Sequence, residues 1–273
     1  MKNFIRSITP PIAIDVFNYL KMILTNNSPT SFTGVFDDYE SIECQSPWEQ
    51  KKWLDIQTKS LKDLLTENNK IKYTTLNEFE ILPCYILNSL SLSKSINVVD
   101  IGGGSGLTFF KFLPYLKNSK NINYHVVDYG KLALVGEEFS KTVDQYFNLA
   151  FHKDFSDLLS LKMDIIFSSS SIQYIYEYES FIEELCSHSS KHIIISQLPC
   201  GNFKTYFTKE NQNGFNTPRI MFNYDEFISL FKSQGYTLDF DWPVDEFYPD
   251  SFYKKIPKDK QIRNSTSLIF TKD

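Results

Sequence analysis

The spacing of apolar positions changes near residue 95. Before it, the period is helical. Pro10-Pro11 opens a predicted helix through Leu24, with Ile12, Val16, Tyr19, Leu20 and Ile23 on one face. Residues 26–33 are polar and read as a loop, followed by the aromatic and acidic run Phe32 to Glu40. Ser46-Pro47-Trp48-Glu49 has the order of a helix start: a capping hydroxyl, a proline at the first helical position and a capping-box acid. That helix should run to about Leu65, with Trp53, Ile56, Leu61 and Leu64 inward. Thr75 and Glu78 form a second capping box before an apolar segment ending near Leu90, which Pro83 should kink or divide. Residues 1–94 therefore read as a helical cap.

From Asn97 onward, strand and helix patterns alternate. Strands are predicted at 97–101, 122–127, 148–152, 163–168 and 192–197, with helices centred near 111, 138, 158 and 181. This order predicts an α/β fold with a parallel sheet covered by helices on both faces. Asn223 and Glu226 form another capping box, and Gly235 ends the helix they open. Strands at 236–241 and 266–271 close the sheet. No helix separates them, so the last should run antiparallel. The division is 1–94 for the cap, on the substrate side, and 95–273 for the main ligand-binding domain, with no disordered linker between them.

Composition adds bounds. With 273 residues and 42% apolar side chains, one large domain with an extension is affordable. A net charge of −5 argues against nucleic acid as the main partner. The four cysteines, Cys44, Cys84, Cys186 and Cys200, have no paired spacing, which fits reduced thiols in the cytoplasm. No segment has metal-ligand spacing, and no run approaches the ~20 apolar residues of a membrane span. Self-association is left open.

The chemistry concentrates in Asn97-Val98-Val99-Asp100-Ile101-Gly102-Gly103-Gly104-Ser105-Gly106, a strand that ends in an acid and a glycine turn. A dinucleotide turn wants a third small residue for close helix packing. Leu107 or Phe109 stands there instead, which disfavours NAD and FAD. No phosphate-loop pattern is present. The run Asp100 to Gly106 resembles the D-x-G-x-G-x-G signature of class I S-adenosylmethionine-dependent methyltransferases, and the order of elements over residues 95–273 is similar to theirs. The Phe-x-Gly-x-Phe segment after residue 31, Pro47-Trp48-Glu49, Ser168 to Tyr174 and a later Asn-x-x-x-Phe also resemble a methyltransferase subfamily of surface-polysaccharide gene clusters.

The resemblance implies a Rossmann-like methyltransferase fold with a mostly parallel seven-stranded sheet, and S-adenosylmethionine as cofactor. It implies that Gly102, Gly103, Gly104 and Gly106 lie against the methionine and ribose. Asp100 would place the methionine amine, Asp128 would accept the ribose hydroxyls and Tyr129 would flank the adenine. Asp154 would accept from the adenine amino group, with Phe155 packed nearby, although Asp154 also suits a helix N-cap. Ser168 and Ser169, in the run to Ser171, lead toward the methyl group. Gln173 and Tyr174 are candidates for touching substrate.

A hydroxyl acceptor can need a general base, and histidine is the usual choice. His125 lies mid-strand, His188 and His192 lie at the wrong sheet edge and His152 is near the adenine. Tyr174, Tyr39 and Glu49 are the nominated catalytic candidates, with Glu40 and Asp241 behind them, and proximity without a strong base is the default. Cys200 to Phe222 and Pro243 to Asn264 read as long loops over the active edge. Their basic residues suggest an anionic acceptor, such as a phosphorylated or nucleotide-linked sugar, with Arg219 gripping a phosphate. The expected reaction is O-methylation of a small molecule, with N-methylation or a non-catalytic scaffold as alternatives.

Overall fold

The computed structural model describes residues 30–45, 47–188, 190–212, 214–244, 248 and 250–272. The predicted helix over 10–24 and the capping role of Ser46 lie outside them.

The larger sheet has seven strands: β2 (Ile96–Ile101), β3 (Ile122–Val127), β4 (Asn148–His152), β5 (Ile165–Ser169), β6 (His192–Leu198), β10 (Thr237–Val244) and β12 (Ser265–Thr271). Their order is β10-β12-β6-β5-β2-β3-β4. The strands from β2 to β6 pair in parallel, and β12 runs antiparallel between β6 and β10. Each predicted strand agrees with an observed one to within three residues at either end, and buried Ile, Val and Phe recur along the central β2, β5 and β6. Among the described residues, no helix is long and apolar enough to cross a membrane.

Two N-terminal helices, α1 (Lys51–Lys62) and α2 (Glu78–Ser91), share one face of this sheet with α3 (Leu107–Phe112), which follows the glycine turn. Leu61 of α1, Leu64 just past it and Cys84 and Leu87 of α2 join one core cluster with Ile96, Val98, Phe109 and Phe167. The predicted capping box shifts by two residues: Asn77 caps α2 and Glu80 returns the bond. Pro83 does not divide α2. Proline lacks the N–H that would reach Phe79 O, and the Ser196 hydroxyl donates to that carbonyl at 3.5 Å. Glu80 also pairs with Lys111, tying α2 to α3. The other face is covered by α5 (Tyr178–Ser187) and α6 (Tyr224–Ser233), while α4 (Lys131–Ser140) packs beside β4 and α1. Asn223 caps α6, and Gly235 follows it at φ +82°.

A second sheet of five strands departs from the expected plan. It comprises β1 (Ser31–Phe36), β7 (Cys200–Gly201), β8 (Tyr206–Gln212), β9 (Phe215–Asn223) and β11 (Tyr253–Lys254), in the order β11-β1-β8-β9-β7. The segment before residue 95 is thus not wholly helical, and Cys200 to Phe222 is a hairpin rather than a loop. The expectation failed for a physical reason. The buried face of this hairpin carries Thr208, Glu210, Thr217 and Arg219, so alternation of apolar with polar residues does not announce it. The segment 155–158, predicted as a helix, is a single 3-10 turn.

Candidate functional site

The glycine turn owes its shape to three contacts. Gly102 N–H donates to Val127 O of β3 at 2.8 Å. Gly102, Gly104 and Gly106 all have positive φ, a region that costs other residues steric strain. Gly103 lies so close to Asp100 that a Cβ there would stand 2.5 Å from the carboxylate, and a Cβ on Gly102 would stand 2.3 Å from Ser171 Cβ. Asp100 is buried beneath the turn and accepts a hydrogen bond from Tyr124 Oη at 2.8 Å. Burial pushes its pKa up to about 7; the Tyr124 bond works against this and the nearby Asp128 adds to it. Asp128, past the end of β3, accepts from Gly104 N–H at 2.9 Å through Oδ2. Burial raises its pKa to about 6, with the Gly104 bond pulling the other way.

These groups open on a cavity of about 590 Å³. Gly102, Gly103, Gly104, Asp128, Tyr129, Phe155, Glu49 and Tyr174 all line it, so the structure brings eight of the nominated residues together. Asp100 and Gly106 support the turn from behind and do not line the cavity. Ser170 and Ser171 line it where Ser168 and Ser169 were expected. The reason is a turn in the chain: Ser170 has φ +54°, and the Ser171 hydroxyl donates to Ile101 O, with Ser168 Oγ 2.5 Å behind it. Ser169 turns away to Gln197. Asp154 is exposed and caps the following turn by accepting from Ser156 N–H, which holds its pKa below the usual carboxylate value. The predicted cap is present, and Asp154 is not among the residues that line the cavity.

Sequence reasoning missed the wall over the turn. Trp48, Trp53 and Gln57 line the cavity, together with Leu132, Ile175, Phe181 and Gln212. Helix α1 starts at Lys51 rather than at Pro47, so Trp53 and Gln57, four residues apart, share one face of it, while Glu49 lies in the turn before it. That spacing was the available signal. Gln57 Oε1 accepts from the Ser105 hydroxyl at 3.2 Å, fastening α1 to the glycine turn. Glu49 stands against Gly130, where a Cβ would meet its carboxylate at 3.0 Å. Trp48 meets the Tyr174 ring edge-on at 4.9 Å.

On the Tyr174 side the expectations need correction. Arg219 does not reach the cavity. It is buried in an ion pair with Glu210 at 3.1 Å, donates to Tyr248 Oη at 3.3 Å and lies over the Phe32 ring at 5.1 Å. Burial works against its charge, but Glu210 prevails and keeps the guanidinium fully protonated. Its charge is already spent on a carboxylate, so it cannot also serve as the phosphate grip. The Tyr174 hydroxyl donates to the other oxygen of Glu210 at 2.7 Å, and burial followed by the Glu210 charge holds its pKa well above the ordinary phenol value. Tyr174 is therefore no base. Gln173 is buried, donates to Ser170 Oγ and does not line the cavity. Tyr39 packs on Tyr176 and Phe207, also outside the lining. Among the described residues no group of three or more His, Cys, Asp or Glu is placed to hold a metal ion.

No family model matches the chain, and neither does any curated protein. Solved structures do. An S-adenosylmethionine-dependent methyltransferase of Clostridium acetobutylicum is 16% identical over 81% of this chain and 98% of that one, with a TM-score of 0.50. The Haloferax volcanii protein solved in complex with the Trm112 methyltransferase activator is 15% identical over 82% of this chain and 95% of its own, also at 0.50. At such identities the likeness is one of fold. With the strand order, the antiparallel β12 and the glycine turn after β2, it shows that the chain has the class I S-adenosylmethionine-dependent methyltransferase fold.

Proposed function

We propose that the protein is a methyltransferase that takes its methyl group from S-adenosylmethionine and passes it to a hydroxyl of a small molecule. One observation carries this reading. The glycine turn and Asp128 face a single cavity whose lining, among the described residues, holds two carboxylates, Asp128 and Glu49, and neither lysine nor arginine. A dinucleotide would bring a pyrophosphate to face these two carboxylates, with the N–H groups of the turn as its partners. A sulfonium cation with a ribose diol suits it.

In this reading Asp128 accepts the ribose hydroxyls and the turn Gly102 to Gly104 approaches the methionine and ribose closely. Phe155, Leu132 and Phe181 form the apolar bed for the adenine. The bound cofactor supplies an electrophilic methyl group. The chain's own part is to hold the acceptor in line with it, and positioning alone can supply several kcal/mol of the barrier. Trp48, Tyr174, Ile175 and Gln212 form the acceptor wall. Its aromatic edges and single amide suit an uncharged hydroxyl compound of sugar size better than the anionic acceptor that the basic segments suggest. A sugar unit in surface-polysaccharide assembly is compatible with such a wall.

Calorimetry with S-adenosylhomocysteine tests the cofactor half. The wild-type chain should bind it, and Asp128→Ala should weaken binding at least tenfold. Absence of binding at millimolar ligand would overturn the reading. Labelled donor with neutral glycosides, set against their phosphorylated counterparts, tests the acceptor half.

A further inference from the structure

Two histidines stand together outside the cavity. His125 of β3 and His152 of β4 lie on adjacent parallel strands, with His125 Nδ1 3.1 Å from His152 Nε2 and ring centroids 5.2 Å apart. Both side chains are half-buried, on the sheet face that also carries Asn123 and Asn148. The residue opposite His125 is Ala150, whose methyl leaves room over the strands for two rings to converge. The asparagines are occupied elsewhere: Asn148 donates to Asn123, and Asn123 donates to Asn97. They form a ladder that ends where the histidines begin.

Two imidazole nitrogens bound to one tetrahedral ion, with bonds near 2.0–2.1 Å, stand about 3.3 Å apart. The observed 3.1 Å is close to that bite. Without a metal, one ring donates its single proton to the lone pair of the other. A divalent ion replaces that proton and takes both lone pairs.

We propose that His125 and His152 form a two-histidine site for a divalent transition ion of the zinc, nickel or copper class, with water completing the coordination. Two protein ligands make an open, exchangeable site rather than a structural one. The site is also joined to the cavity rim, since the His152 carbonyl accepts the Asp128 N–H at 3.1 Å.

The test is calorimetry of the full chain with Zn²⁺ at pH 7.5. The expected result is one ion per chain with micromolar affinity, weakened at least tenfold in His125→Ala and in His152→Ala. S-adenosylhomocysteine binding and thermal unfolding check that the variants fold. No uptake below 1 mM Zn²⁺, or uptake unchanged in both variants, overturns the proposal. If the variants do not fold, ring-nitrogen NMR of the wild type decides: Zn²⁺ should shift two of the four histidines, and four unmoved rings refute the site.

Discussion

The turn side and the wall side of the cavity are built on different principles. The turn side is local. Gly102, Gly103 and Gly104 follow one strand, Asp128 follows the next, and backbone N–H groups set the shape. The wall side is assembled from afar. Trp48 comes before α1, Tyr174 follows β5 and Gln212 ends β8, while Glu210 and Arg219 stand behind them as a buried pair. A local site fails when backbone geometry fails. An assembled one fails when the parts that hold its pieces together fail.

The two sides should therefore break differently. Arg219→Ala leaves the Glu210 carboxylate buried without its cation, and denaturant titration should show a loss of about 3–5 kcal/mol of stability. S-adenosylhomocysteine affinity, measured on the fraction that folds, should stay within twofold. The pattern should reverse at the turn. Gly102→Ala combines φ +68° with a 2.3 Å collision, and calorimetry should record more than a hundredfold loss of binding while circular dichroism keeps the wild-type spectrum. If Gly102→Ala unfolds the chain instead, the turn is structural and the contrast fails.

Asp128→Asn removes a charged acceptor but keeps the shape, and should weaken S-adenosylhomocysteine by about 1.5–3 kcal/mol. Tyr174→Phe should cost about 1–2 kcal/mol of stability, because Glu210 loses one donor, and leave the same affinity within twofold.

Stability should also depend on pH. Asp100 and Asp128 have folded-state pKa values raised to about 7 and about 6. Between the unfolded carboxylate value and these, the folded chain binds more protons than the unfolded one. Stability is then highest on the acid side of that window and falls as pH rises through 6 and 7. Melting temperatures across pH 5 to 8 should decline, and Asp100→Asn should flatten the decline.

The same contrast explains what the sequence discloses. The centre of the larger sheet was legible because β2, β5 and β6 are buried on both faces and read as apolar runs, as in Ile165-Ile166-Phe167. The turn was legible because its residues are contiguous. The wall was not. Trp48 and Trp53 resemble any aromatic residues at the start of an amphipathic helix, and only tertiary packing brings them to Tyr174 and the cavity. The hairpin was hidden by the polar face it buries. Arg219 looked free because its partner Glu210 lies across a strand pair, a relation set by register: Thr208 faces Arg219 and Glu210 faces Thr217.

The pairing of β1 with β8 also bears on synthesis. Ser31 pairs with Asn211, so β1 leaves the ribosome long before its partner, and β2 to β6 all emerge in between. Contacts so distant in sequence form late, because loop closure must be paid before they stabilise anything. The larger sheet can therefore assemble first, leaving the strand that carries Phe32 with open edges until the hairpin arrives. That interval is when the nascent chain is most exposed to strand-to-strand aggregation, and a chaperone that shields residues 31–36 would act there.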